Sequence, residues 1–308
     1  MNPDPPLPSN RPSPFTRRHG LALLLSATAL ALVGCVGAPA EPVRRATRSA
    51  PAPRALAVPT IRPKGPAPAV VGKSVLVLDA RTGKVLHSKS ADTRRAIAST
   101  QKLLTALVAI EAGGLDRRIT VAKSDTWVEP SKLYLRAGDS YKKSDLVAAL
   151  LVKSGNDVAR CLARNHAGSE SAFATAMNSK ARRLGMLNSN FKNPHGLTSS
   201  GQYSTARDLG KLAMAAYRNR TIRSITAIKK LPFRFADGRA VTFTNTNKVL
   251  ARSPYCNGMK TGYTRASGRC LVSSGKKGTR EVIVIVLGST SQSIWRDSHK
   301  LLDWALGV

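Results

Sequence analysis

Ser99-Thr100-Gln101-Lys102 places a hydroxyl three residues ahead of an amine, at the start of the apolar run Leu103–Ile110. On a helix, residues three apart share one face. A serine hydroxyl is a weak nucleophile at its free pKa, and an adjacent base activates it. Lys102 can be that base only where burial and neighbouring cations lower its pKa. The chemistry such a pair suits is attack on a carbonyl, with the amine taking the serine proton. Alone, the spacing also fits an ordinary solvated helix surface.

Two more elements follow in order. Ser154-Gly155-Asn156 comes after the apolar run Leu146–Val152, and Lys260-Thr261-Gly262 lies inside Gly258–Thr264. S-x-x-K with S-D-N and K-T-G is the triple of penicillin-binding proteins and class A β-lactamases; here the middle element reads S-G-N. Further stretches agree: Ala98–Ala106, Ser154–Ala159, Leu184-Gly185-Met186, Asn193-Pro194-His195-Gly196-Leu197 and Tyr203–Leu209. Over about residues 72–308 the chain resembles a low-molecular-weight penicillin-binding protein of the serine-type D-alanyl-D-alanine carboxypeptidase and endopeptidase family.

That resemblance implies roles for matching positions. Ser99 would be the nucleophile toward a D,D-peptide bond, Lys102 its general base, and Ser154 the proton relay to the leaving amine. Asn156 would bind the substrate's amide backbone. Lys260 and Thr261 would recognise a substrate carboxylate. Gly262 would let substrate approach the strand closely. The backbone N–H groups of Ser99 and Tyr263 would form the oxyanion hole. Lys260 close to Lys102 would favour a neutral Lys102, since like charges disfavour double protonation. No cofactor or metal is implied; the expected partners are peptidoglycan peptides and β-lactam antibiotics. Asn193, His195 and Tyr203 read as loop residues satisfied by hydrogen bonds. Many relatives place a carboxylate-binding arginine just before the last helix. Ile294 stands there, with Arg296 nearest, so either Arg296 substitutes or a terminal carboxylate is not required.

The elements that must position these groups are legible from pattern. Ser74–Ala80 and Lys84–Ser88 read as a hairpin about Arg81-Thr82-Gly83. Residues 100–235 read as mainly helical, with helical spacing through Asp145–Ala163, Ala172–Leu184 and Ala206–Ala216. Strands are expected at 231–235, 240–244, 257–262, 269–274 and 281–288, and a last helix at Ser291–Leu306. This is an α/β (α+β) pattern: one antiparallel sheet from the N- and C-terminal segments, with a helical lobe beside it. The resemblance implies the same β-lactamase/penicillin-binding-protein-like fold.

Residues 1–35 read as a signal peptide. Arg17 and Arg18 precede the apolar Leu21–Val33, and Leu32-Val33-Gly34-Cys35 resembles a lipobox, which makes Cys35 the expected lipidation site. Residues 36–69, rich in Ala, Pro and Arg, read as an extended spacer. Residues 70–308 form the expected catalytic domain. The expected location is the cell envelope, with a lipid holding the chain to a membrane that faces the periplasm or wall. The net charge of +32 suits a polyanionic partner. An export signal argues against nucleic acid and for wall polymers, stem-peptide carboxylates or lipid head groups. With Cys35 lipidated, Cys161, Cys256 and Cys270 remain. Cys161 reads as a core residue, and simple hairpin pairing sets Cys270 opposite about Gly262 rather than Cys256. No C-x-x-C or H-E-x-x-H points to zinc.

Two other classes stay open. A class A β-lactamase needs a glutamate-activated water; Glu170 is followed by Ser171-Ala172-Phe173, which is not the expected pattern. A non-catalytic, lipid-anchored wall-binding protein would have lost Ser99 or a lysine, and neither is lost. Carboxypeptidase and endopeptidase are not separated by the motifs. The chain ends soon after the catalytic segment, which favours the endopeptidase-like branch.

Overall fold

Strand β1 (Ser74–Asp79) is buried along its whole length, because it runs through the middle of a sheet covered on both faces. The computed structural model describes residues 60–308. The sheet has five antiparallel strands in the order β2-β1-β9-β8-β7. β2 is Val85–Lys89, β7 Cys256–Thr264, β8 Gly268–Lys277 and β9 Arg280–Ser289. N- and C-terminal segments thus share one sheet, as expected.

Side chains alternate across a strand, and the sheet uses both sets. Val75, Val77, Val282, Val284 and Val286 pack with Ile294, Leu301, Leu302 and Ala305 of the last helix, α8 (Ser293–Leu306). Leu76, Leu78, Ile283, Ile285 and Leu287 face the helical lobe. That lobe holds α1 (Lys102–Glu111), α2 (Lys143–Val152), α3 (Asn156–Ala167), α4 (Glu170–Arg183), α5 (Ala206–Arg218) and α6 (Arg220–Thr226). Three of its helices, α4, α5 and α6, start on side-chain caps: Ser169 Oγ accepts from Ala172 N–H, Thr205 Oγ1 from Asp208 N–H, and Asn219 Oδ1 from Ile222 N–H. Gly210 lets α5 lie against the sheet; a Cβ there would stand 2.7 Å from Leu76 Cδ2.

Three features depart from the sequence expectation. The helical spacing through Asp145–Ala163 is two helices, broken where Ser154 takes a φ of +71°. The strands β5 (Lys230–Arg234) and β6 (Ala240–Thr244) do not join the main sheet. They form a separate ribbon whose Phe233 stacks on Tyr141 at 5.7 Å. A second ribbon, β3 (Arg118–Thr120) with β4 (Ser140–Lys142), carries that tyrosine and was not expected.

Two points of the stretch read as spacer touch the domain. Ile61 is buried with its N–H donating to Asp79 Oδ2, and Trp304 Nε1 donates to the Gly65 carbonyl. The leader and Cys35 lie outside the described residues.

Candidate active site

Ser99 lies in a 3-10 turn, Ala98–Gln101, that leads directly into α1. The turn puts Lys102 at the first position of α1, one turn from the serine. Lys102 Nζ is 2.8 Å from Ser99 Oγ. It donates also to Asn156 Oδ1 at 2.6 Å and to the main-chain oxygen of His195 at 2.7 Å. Lys102 is fully buried, and no carboxylate pairs with it among the described residues. Burial, and then the nearby Lys260, push its pKa well below the usual lysine range; Asp157 opposes them weakly. The arrangement is an amine, its charged form disfavoured, aimed at a hydroxyl.

The loop 193–197 is clamped by the same helix. Gln101 Nε2 donates to the Asn193 carbonyl at 2.5 Å, Thr105 Oγ1 to the Pro194 carbonyl at 2.6 Å, and Lys102 to that of His195. Three successive carbonyls therefore meet three polar side chains of one helix face. Gly196 lets the loop close on the Ser99 turn: its φ is +91°, and a Cβ would stand 2.3 Å from the Ala98 oxygen.

β7 supplies the facing wall. A Cβ on Gly262 would stand 2.9 Å from Ile97 O and 3.0 Å from Ser99 N. The close approach that demands this glycine is therefore by the chain's own 97–99 segment, and not by substrate alone as the sequence suggested. Lys260 is buried, and Nζ donates to the Thr261 carbonyl. Burial lowers its pKa to about 7. Thr261 Oγ1 is 2.7 Å from Thr246 Oγ1.

Between these walls is a cleft of about 510 Å³, lined among others by Ser99, Ser131, Ser154, Asn156, Thr261, Gly262 and Tyr263. Ser154 sits between α2 and α3, and its hydroxyl makes no hydrogen bond to either lysine. Asn156 is held from both ends, with Nδ2 donating to the Pro130 carbonyl and Oδ1 accepting from Lys102. The buried Asp157 carboxylate accepts from the N–H groups of Leu133 and Leu135, fixing the loop that carries Pro130 and Ser131.

Ile294 lines the cleft where the arginine was expected. Arg296 lies outside the cleft lining, 61% exposed, beside Ser293 and Asp297. The cations that do line the cleft are Lys248 and Arg269. The Arg269 guanidinium lies 4.2 Å over the Tyr263 ring, and its Nε donates to Ser291 Oγ.

The cysteines are free and buried among the described residues. Cys270 pairs in register with Gly262, as hairpin geometry indicated, and Cys256 with Gly275.

Sequence reasoning reached Ser99, Lys102, Ser154, Asn156, Lys260, Thr261, Gly262 and Tyr263, and all but the two lysines line one cleft, with the lysines buried behind its walls. It missed the His195 carbonyl, Thr246, Lys248 and Arg269. One signal was present: Gln101 and Thr105 are polar residues four apart at the head of a mostly apolar stretch, and both are buried.

Comparison with known proteins agrees with this geometry. A family described as D-alanyl-D-alanine carboxypeptidase matches residues 62–291. D-alanyl-D-alanine carboxypeptidase DacF of Bacillus subtilis is 33% identical over 241 residues, covering 76% of this chain and 61% of the relative. The D-alanyl-D-alanine endopeptidase of Escherichia coli is 32% identical over 259 residues, covering 82% and 83%. The crystal structure of the Streptomyces K15 DD-transpeptidase superposes with a TM-score of 0.75 at 30% identity, covering 79% of this chain and 100% of that one. The chain spans about three fifths of the length of the carboxypeptidases it matches in Bacillus subtilis and Escherichia coli.

Proposed function

The chain belongs to the D-alanyl-D-alanine carboxypeptidase family, and we propose that it hydrolyses D-alanyl-D-alanine or D,D-cross-link bonds of peptidoglycan stem peptides through an acyl-enzyme on Ser99. One observation carries this reading. A buried lysine with no carboxylate partner stands 2.8 Å from a serine hydroxyl on a cleft walled by the K-T-G strand.

Neutral Lys102 takes the Ser99 proton as Oγ attacks the carbonyl carbon. The N–H groups of Ser99 and Tyr263 receive the oxyanion. The carbonyl re-forms as the C–N bond breaks, and the proton passes through Ser154 to the leaving amine. Water then attacks the Ser99 ester, with Lys102 as base again, and releases the acid. Lys260 and Thr261 meet a substrate carboxylate. A β-lactam enters the same path by opening its amide on Ser99.

No acidic residue lines the cleft among the described residues. That disfavours the glutamate-activated deacylation of a class A β-lactamase. Ile294 in the cleft, with Arg296 outside it, supports activity on cross-links, which lack a terminal D-alanine carboxylate at the scissile bond. The Leu32–Cys35 stretch supports a lipid-anchored, exported form in the envelope. Among the described residues no helix is long and apolar enough to cross a membrane.

The test is timed digestion of a monomeric pentapeptide muropeptide and a D,D-cross-linked dimer, separated by chromatography and weighed. Release of D-alanine or conversion of dimer to monomer, lost in Ser99→Ala, supports the reading, and dimer cleavage at least as fast as pentapeptide trimming supports the endopeptidase form. Intact substrates, or equal turnover by Ser99→Ala, would overturn it. Mass spectrometry of the mature N-terminus tests the anchor: a lipid-bearing cysteine at 35 supports it, and a mature chain starting elsewhere without lipid removes it.

A further inference from the structure

We propose that Glu170 is a positioning residue for Lys102, acting through the His195 loop; this rests on the acyl-transfer reading above. Apart from Ser99, Lys102 Nζ has two acceptors, Asn156 Oδ1 and the His195 carbonyl oxygen. They come from different parts of the chain, and the amine keeps its aim only while both hold still.

Glu170 ties the two together. Asn156 opens α3, and Arg160 follows it one turn later on the same helix face. Arg160 Nε lies 2.6 Å from Glu170 Oε1, and the other carboxylate oxygen, Oε2, lies 3.4 Å from His195 Nε2. A closed circuit results: Lys102, Asn156, α3, Arg160, Glu170, His195, and back to Lys102.

The protonation states fit this use. His195 Nδ1 accepts the Leu197 N–H, so in the neutral ring the proton sits on Nε2, facing Glu170. Burial lowers the His195 pKa and Lys102 adds to the lowering, while Glu170 opposes them. Burial alone would raise the Glu170 pKa, but His195 and Arg160 hold it below the usual carboxylate range, against a weak opposing effect of Asp125. The result is a carboxylate accepting on both oxygens. An ordinary acid at a helix start would need neither partner; α4 begins at Glu170, and the dipole favours a negative charge there regardless. The two directed contacts separate the proposal from that plainer role. Glu170 does not line the cleft, so it has no contact with substrate to lose.

The experiment is stopped-flow acylation by a labelled penicillin, resolving the limiting acylation rate from the apparent dissociation constant, in the wild type, Glu170→Gln, Arg160→Gln and the double variant. Glutamine turns one acceptor oxygen into a donor. Glu170→Gln should lower the limiting rate by roughly tenfold while the dissociation constant stays within about twofold, as expected for an interaction that acts on the chemical step. Arg160→Gln should slow acylation in the same direction, and the double variant should be no slower than Glu170→Gln, because the two act in one circuit. A folded Glu170→Gln acylated at the wild-type limiting rate, a loss confined to the dissociation constant, or full additivity would overturn the proposal. Should Glu170→Gln not fold, an unchanged limiting rate in Arg160→Gln alone overturns it. A wild-type chain that never labels takes down the acyl-transfer reading and this inference together, whereas labelling without a Glu170 effect takes down the inference alone.

Discussion

Lys102 and Lys260 are both fully buried, one behind each wall of the cleft, and Lys260 disfavours the charged form of Lys102. Lys102 is depressed by burial and then by Lys260; Lys260 is depressed by burial to about 7. The proposed mechanism uses Lys102 neutral and Lys260 protonated. Acylation by a penicillin should therefore rise with pH as Lys102 loses its proton and fall again as Lys260 loses its own near pH 7. The two limbs belong to the coupled pair. Lys260→Arg keeps its charge at every accessible pH, so its alkaline limb should move upward by about one unit or more. A profile of kcat/KM, or of its acylation counterpart, checks this. An alkaline limb unmoved in Lys260→Arg would assign it to another group.

Gly196 is required twice over, by its φ of +91° and by the Ala98 oxygen 2.3 Å from a would-be Cβ. Gly138 has a similar φ of +89° with nothing within 4 Å. Gly138→Ala should thus cost only the left-handed strain, about 1 kcal/mol. Gly196→Ala should lower the melting temperature further and slow acylation as well, because the displaced neighbour is the backbone that carries Ser99. Equal losses in the two variants would remove the contact from the account.

Arg269 is held in the cleft by the Tyr263 ring and Ser291 Oγ, with no acidic partner among the described residues. A preset guanidinium suits a carboxylate of the stem peptide. Arg269→Ala should raise KM for muropeptides by roughly tenfold, the worth of one charge-assisted hydrogen bond. Arg296→Ala should leave it within about twofold, as for a surface charge. Steady-state kinetics on both variants decide it; a larger effect at Arg296 would return the clamp to the start of α8.

Burial raises the thiol pKa of Cys161 to about 12, and of Cys256 and Cys270 to about 11. The thiolate is the reactive form. Residues 60–308 should therefore resist iodoacetamide at pH 8 while folded and take up three alkyl groups once unfolded in denaturant without reductant. Fewer than three, restored by reductant, would mean a disulfide.

Much of this site could be read from residue types alone. In the proposed mechanism Ser99, Lys102, Lys260 and Thr261 act through side chains, so their spacing carries the chemistry. The sheet was legible for a similar reason: Ser74–Asp79 and Arg280–Ser289 are apolar on both faces, as strands covered on two sides must be. What escaped detection acts through backbone or through tertiary placement. The acceptor on Lys102 is the His195 carbonyl, which any residue would supply. Helical spacing ran across Ser154 because the break there comes from one positive φ, which no apolar pattern reports. Arg269 and Arg296 look alike in sequence, but β8 carries one into the cleft beside Tyr263 and Ser291, while α8 leaves the other outside its lining.

The most direct measurement is mass spectrometry of peptides from the chain after exposure to a labelled penicillin. The account predicts one adduct, on Ser99, absent in Ser99→Ala and slowed by roughly three orders of magnitude or more in Lys102→Ala, since members of one catalytic unit fail together. An adduct on another residue, or undiminished labelling of the folded Ser99→Ala variant, would contradict it.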